Sequence, residues 1–151
     1  MDTDAVMVRE ARPGDEPGLA RIHDEVTRYY PDLAVDRQRA EGASLRLVAE
    51  TGGEVVGALI ARLLPPADEA QQDLTPDPAH ARLRIEYLVT SAGYRRQGVG
   101  SRLVQAAEAW GRDAGADSAE TTTFRASPLS VPFWEDRMGY DESSINMHKR
   151  L

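Results

Sequence analysis

The sequence predicts one α/β domain in which strands and helices alternate, and three features carry that reading. Two β-rich runs, LRLVAE and EVVGALIARLL, flank Thr51-Gly52-Gly53, the pattern of a hairpin. Farther on, RLRIEYLVT alternates apolar and polar residues from Arg82, and the stretch GYRRQGVGSRL then leads into Val99, Leu103, Ala107, Trp110 and Ala114 at helical spacing. Finally, 151 residues with 41% hydrophobic content are the size of a single core, so the whole chain, 1–151, is expected to be one domain.

Taken in order, Ala5 to Glu10 alternate around Val6 and Val8 as a first strand, and Arg12-Pro13-Gly14-Asp15 punctuates it. From Asp15, a plausible N-cap, Leu19, Ile22, Val26 and Tyr30 recur at helical spacing. After Pro31 a polar segment has room for a second short helix through Arg37 and Ala40, and the hairpin comes after it. Pro65 to Ala81 holds four prolines and the acids Asp68, Glu69, Asp73 and Asp77 without a Lys or Arg, and reads as a loop. It is either an acidic lip over a binding site or a solvated excursion.

In the strand from Arg82, Leu88 breaks the alternation, marking a β-bulge or a strand end buried on both faces. The helix from Val99 ends at Gly115. A strand over Ser118 to Phe124 and a short helix holding Phe133, Trp134 and Met138, closed by Gly139, come next. One or two strands over Tyr140 to Arg150 complete six or seven strands and about four helices.

Charge and composition narrow the function. A net charge of -7 argues against a nucleic-acid partner, whose phosphates need a basic surface, and permits a cationic substrate. No stretch approaches the roughly 20 apolar residues of a membrane span, so a soluble, cytoplasmic protein without a membrane partner is expected. A homodimer is left open. With no cysteine, disulfides, thiolate metal sites and a covalent thioester on the enzyme are excluded. His23, His80 and His148 fall in no metal-binding spacing, so no metal is expected.

Against this acidic background, Gly93 to Leu103 holds Arg95, Arg96 and Arg102 and no acid. Gly93 and Gly98 fit the frame of a phosphate loop, G-x-x-x-x-G-K-S/T, but Val99 and Gly100 stand where the lysine and hydroxyl belong. A strand that passes into a helix through glycines aims the first backbone N–H groups of the helix at one spot, where the helix dipole adds positive charge. Such a turn suits a small anion, and without the lysine and hydroxyl it suits a diphosphate that is held rather than cleaved. The plainer alternative is a turn whose glycines merely save space.

The segment IEYLVTSAGYRRQGVGSRLVQAAEAWGRDAGADS resembles the central motif of the GNAT superfamily of N-acetyltransferases. That family's signature, Q/R-x-x-G-x-G/A, reads here Arg95-Arg96-Gln97-Gly98-Val99-Gly100. VREARPGDEPGLARIH resembles its first strand and helix, and FWEDRMGY its late F-Y-E-x-x-G-F/Y element. The resemblance implies a GNAT-like fold, a mixed sheet of six or seven strands splayed at the fourth, with acetyl-CoA in the gap as acetyl donor. It implies that Arg95, Arg96, Gln97, Gly98, Val99, Gly100 and Ser101 surround the diphosphate, and that Leu88 and Val89 pair with the pantetheine amides like an added strand.

Direct acetyl transfer to a primary amine is then the expected reaction. An aliphatic amine with a pKa of about 10.4 is protonated at neutral pH, so a base must remove its proton, directly or through water. Glu86 occupies the position where members of the resembled family often carry that base; the alternative is a strand-face glutamate paired with Arg62 or Arg84. The Leu88 N–H is the candidate oxyanion donor, its alternative an ordinary ladder bond.

The leaving group marks a departure from the family. Many relatives use a tyrosine to protonate the thiolate, but Trp134 stands there, and an indole N–H is no practical acid. Tyr140, Tyr87 or water would have to substitute, with core packing the alternative for both tyrosines. Ser127 stands where many relatives carry a cofactor-contacting asparagine; it also reads as a helix cap. Tyr29, Tyr30 and Asp32, with the acidic loop, are placed to attract a small cationic amine. Two rival readings are a non-catalytic acyl-CoA sensor, consistent with Trp134, and a protein N-acetyltransferase.

Overall fold

Five strands form one sheet in the order β1-β2-β3-β4-β5 in the computed structural model, which describes residues 6–27, 44–70, 72–95, 97–123, 129–145 and 147–151. The strands are β1 (Met7–Glu10), β2 (Leu45–Thr51), β3 (Glu54–Leu64), β4 (Arg82–Thr90) and β5 (Ser118–Thr121). The first four run antiparallel as a meander. β5 is parallel to β4, because the chain crosses back through a helix between them. The helices are α1 (Glu16–Thr27), α2 (Val99–Asp113) and α3 (Ser130–Pro132), the last running straight into a π-helical turn, Phe133–Arg137.

Local chemistry explains the best-formed parts. Gly52 and Gly53 take φ values of 56° and 78°, the paired positive angles of a two-residue hairpin turn, which glycine adopts without a Cβ penalty. α1 covers one face of the sheet, where Ile22 packs with Val48, Val55, Ala58 and Val89. α2 covers the other, where Val99, Leu103, Val104 and Ala107 meet Val56, Leu59, Leu83 and Ile85. Ile22, Leu59 and Leu103 are wholly buried, each worth roughly 1.5–3 kcal/mol relative to exposure. β3 therefore buries both faces, which is why its sequence reads as a nearly continuous apolar run.

Three expectations are corrected. Asp15 does not face forward as a cap for α1. Its carboxylate turns back, accepting two 2.8 Å hydrogen bonds from the Arg9 guanidinium and one from the Arg12 backbone N–H, and the Arg9 bonds hold its pKa down at about 2 despite burial. The expected strand over Tyr140 to Arg150 is absent from the described residues there: Ile145, Met147 and Leu151 are exposed and bury no apolar face to drive pairing. Among the described residues there are accordingly five strands, against the six or seven expected, and three helices. The β-bulge, one of two explanations for the break at Leu88, falls at Glu86, and the other holds: Leu88 packs toward α2 and Val89 toward α1. The short helix expected through Arg37 and Ala40, and Phe124, lie outside the described residues.

Candidate active site

β4 and β5 are paired only from Arg82↔Ser118 to Ile85↔Thr121. Beyond Ile85, Tyr87 to Thr90 pair with β3 and with no second strand among the described residues, so the two parallel strands part at mid-strand and leave one edge of β4 open there. Thr121 Oγ1 donates to the Ile85 carbonyl at 2.9 Å and closes the crotch of the opening. The residues carrying the cofactor and oxyanion expectations, Leu88 and Val89, lie on this open stretch.

The bulge sits at the crotch. Ile60 pairs with Tyr87 but Ala61 pairs with Ile85, so Glu86 is the extra residue on β4. Ile85 packs toward α2, whereas Tyr87, two residues on, packs toward α1. An uninterrupted strand would send both to one face. The Glu86 carboxylate, 15% exposed, lies 3.3 Å from Arg62 Nε and 3.6 Å from Arg84 Nε. Arg62 and Arg84 are direct cross-strand partners, an unfavourable juxtaposition that the carboxylate offsets. Both arginines foreseen as its partners are thus engaged at once.

Past Thr90 the chain makes a 3-10 turn, Ala92–Tyr94, and then reaches Gly98 with φ 80° and ψ 9° at the N-cap of α2. An L-residue in this left-handed conformation would cost about 1–2 kcal/mol. The first helical bond runs from Arg102 N–H to the Gly98 carbonyl at 3.0 Å. The N–H groups of Val99, Gly100 and Ser101 precede it and have no acceptor within the helix, and among the described residues no side chain caps this end. A cradle of backbone donors therefore faces out beside the open edge of β4. At Gly100, a Cβ would come 3.5 Å from the Phe133 ring and 3.8 Å from Thr90 Oγ1, so this position is also where α2 meets the late aromatic segment.

Around the cradle, Arg95 is exposed and the Gln97 amide donates to the Gly93 carbonyl at 3.3 Å. Arg102 instead faces the fold, donating to the Val6 carbonyl at 2.7 Å. Tyr140 donates its hydroxyl to Glu108 on α2 at 3.0 Å, and burial with the Glu108 charge pushes its pKa well above the usual phenol value. That makes it a weaker acid than a free tyrosine. Trp134 is buried, edge-on to Phe133 at 5.0 Å and tilted against Tyr140 at 4.9 Å. Arg96, Ser127, Tyr29, Tyr30 and Asp32 lie outside the described residues.

Two residues that the sequence reading missed complete the site's frame. Gly57 on β3 lies beneath the start of α2, where a Cβ would be 2.8 Å from Val99 Cγ1. Glu25 on α1 reaches the segment that leaves β4, accepting the Ala92 backbone N–H at 2.6 Å. Neither left a local signal: Glu25 follows Arg21 by four residues and Ile22 by three, at the polar edge of an amphipathic helix. A separate hollow of about 470 Å³ beside α1 is lined by Arg9, Asp15, Arg21, Glu50 and Glu54, whose charges pair among themselves, and it does not adjoin the cradle residues. Among the described residues, no group of three or more His, Asp or Glu gathers to hold a metal, and no helix is long and apolar enough to cross a membrane.

Comparison with known proteins agrees with this fold. Residues 16–140 match the family model described as the acetyltransferase (GNAT) family. Among solved structures, a transcriptional regulator from Bacillus halodurans C-125 is similar at 22% identity and a TM-score of 0.74, over 97% of this chain and 99% of that one. An aminoglycoside acetyltransferase, meta-AAC0020, from an uncultured soil metagenomic sample and in complex with sisomicin, is similar at 13% identity and a TM-score of 0.69, over 98% and 97%. The aminoglycoside N-acetyltransferase AAC(6')-Iy in complex with CoA is similar at 14% identity and 0.70, over 96% and 98%. No curated protein matches the chain.

Proposed function

The chain belongs to the acetyltransferase (GNAT) family, and from that premise we propose that it moves an acetyl group directly from acetyl-CoA to a primary amine on a small cationic molecule. The observation that carries the reading is the junction of two backbone surfaces that lack partners among the described residues: the open edge of β4 beyond Ile85, and the uncapped N–H groups of Val99, Gly100 and Ser101. The first suits a pantetheine arm paired like a strand, the second a diphosphate.

In this reading Gly98, Val99, Gly100 and Ser101 hold the diphosphate through backbone N–H groups, while Arg95 and Gln97 flank it and Arg96 and Ser127 belong to the same contact set. Leu88 presents its backbone to the arm, its N–H meeting the carbonyl oxygen as it becomes an oxyanion, whereas the N–H and C=O of Val89, in phase with the Ser91 N–H that donates to Val56, turn to β3. Glu86, at the crotch, takes the proton that the substrate ammonium must lose, directly or through water. The amine nitrogen then bonds to the carbonyl carbon, the C–S bond breaks and the sulfur departs with its electron pair, while the second proton that the nitrogen must lose passes to water. Because a thiol has a pKa of about 8.5, this thiolate leaves tolerably unaided and takes its proton from water. The hold of Glu108 on Tyr140 favours water over that hydroxyl.

The acceptor class is supported by the net charge of -7 and by structural similarity to enzymes named for aminoglycosides, one of them seen with sisomicin. Tyr29, Tyr30 and Asp32 are assigned to the acceptor side. A non-catalytic acyl-CoA sensor is the second reading, favoured by the burial of Trp134 where many family members carry the tyrosine acid.

Thiol release from acetyl-CoA across polyamines, aminoglycosides, amino acids and short peptides tests the proposal, and the absence of cysteine removes background from the protein. Release that depends on a cationic amine is expected; tight acetyl-CoA binding without release across the panel favours the sensor. Gly98→Glu, which puts bulk and negative charge at the cradle, should abolish acetyl-CoA binding, and equal affinity would overturn the assignment of this turn.

A further inference from the structure

We propose that Glu25 is a positioning residue for the diphosphate cradle, acting from α1 on the segment that joins β4 to α2; the proposal rests on the reading of that turn as the acetyl-CoA site. Ser91 and Ala92 are where the chain leaves the sheet. The Ser91 N–H still belongs to it, donating to the Val56 carbonyl at 2.8 Å. Ala92 opens the 3-10 turn, so its N–H has no partner within that turn, and Glu25 Oε1 accepts it at 2.6 Å. The Ser91 hydroxyl adds a longer contact to Glu25 Oε2 at 3.3 Å. Two successive amides are thus tied to two different elements, one to β3 and the next to α1.

Beyond Ala92 the turn is held mainly by its own bonds. Tyr94 N–H returns to the Ser91 carbonyl at 2.9 Å, Arg95 N–H to that of Ala92 at 3.5 Å, and the Gln97 side chain to that of Gly93. Such internal bonds keep the turn's shape, and its placement rests on two anchors: Tyr94, which packs against the core under α2, and the tie at the entry. The entry tie thereby helps to set how the turn approaches Gly98, and with it the direction of the cradle's N–H groups. A backbone N–H bonded to a carboxylate is among the stronger protein hydrogen bonds, so this contact has leverage over a short loop whose other anchor is the Tyr94 ring. Glu25 touches neither the described cradle donors nor the open edge of β4, and acts through Ala92.

Acetyl-CoA titration calorimetry on Glu25→Ala and Glu25→Gln, with a thermal melt of each, tests the assignment without an identified acceptor. Glu25→Ala should weaken acetyl-CoA binding roughly tenfold, since one charge-assisted hydrogen bond is lost. Glu25→Gln keeps an oxygen that accepts the Ala92 N–H and should return to within about threefold of wild type. A role in overall stability alone would lower the melting temperature without this pattern in affinity. Wild-type affinity in Glu25→Ala, or equal weakening in both variants, would overturn the proposal. If Glu25→Ala does not fold, Glu25→Asp takes its place, withdrawing the carboxylate by one methylene with its charge intact; weakened binding is expected and wild-type affinity overturns the proposal. Gly98→Glu separates the two levels of inference. If it too binds normally, the reading of the turn fails; if it loses binding while Glu25→Ala does not, the role of Glu25 alone fails.

Discussion

Glu86 is the residue by which β4 outruns β3, and its carboxylate lies 3.3 Å from Arg62 Nε across the strand pair. The bulge and the ion pair have one cause. Inserting Glu86 shifts the register between Ile60 and Ala61, so the carboxylate shares a face with Arg62 and Arg84, at the point where β5 stops pairing. A carboxylate held there by two guanidiniums is kept in place beside the opening where the acetyl group would lie.

Replacing Glu86 with Gln should leave acetyl-CoA affinity within about threefold while lowering kcat about a hundredfold or more, the usual worth of a positioned general base. Steady-state kinetics with the acceptor found in the thiol-release panel, measured across pH, decides it. Unchanged kcat at every pH would confine Glu86 to its pairing with Arg62 and Arg84.

Gly57 sets how closely the start of α2 approaches the sheet. A Cβ there would be 2.8 Å from Val99 Cγ1, 3.1 Å from Leu103 Cδ1 and 3.1 Å from the Val89 carbonyl oxygen, so something must shift. Gly57→Ala should cost about 1–3 kcal/mol from overpacking, read by urea denaturation, and should weaken acetyl-CoA binding as Val99 is pushed away. Trimming the clash with Val99→Ala in the same chain should recover part of the lost affinity. Additive losses in the double variant would show that Gly57 does not act through Val99.

His80 ties the acidic loop to the start of β5. Its Nδ1 lies 2.7 Å from Asp77 Oδ1 and its Nε2 3.6 Å from Asp117 Oδ2, and these carboxylates raise its pKa above the usual histidine value while Asp77 is held below its own. A group whose folded pKa is raised stabilises the fold fully below its unfolded pKa, about 6.5, and loses that effect as pH rises through the folded value. The melting temperature of wild type should therefore exceed that of His80→Gln by the most below pH 6.5, and the gap should close as pH climbs above it. The effect should be small, because the ring is largely exposed. A gap constant from pH 5 to pH 9 would show that the pair does not act through the charge of His80.

Much of the fold was legible because it is written in short-range pattern. The Gly-Gly hairpin, the apolar spacing of α2, and a turn whose Gly98 takes a positive φ each depend on residues within a few positions of one another. The family signature lies in that same local stretch, and so the cradle and the acetyltransferase family were reachable from the chain alone. The break at Leu88 reflects a strand end covered on both faces, while the bulge lies two residues earlier at Glu86, because alternation shows that a strand changes face without showing where its neighbour's register slips, and Ile60 and Ala61 belong to another strand. Asp15 turned back to Arg9, and Arg102 to Val6, because a charged side chain takes the nearest partner that folding supplies. Gly57 under Val99 and Glu25 on Ala92 join positions far apart in the chain. No local period encodes such pairs; they arise when two helices settle on opposite faces of one sheet, and close packing then dictates which atoms must meet.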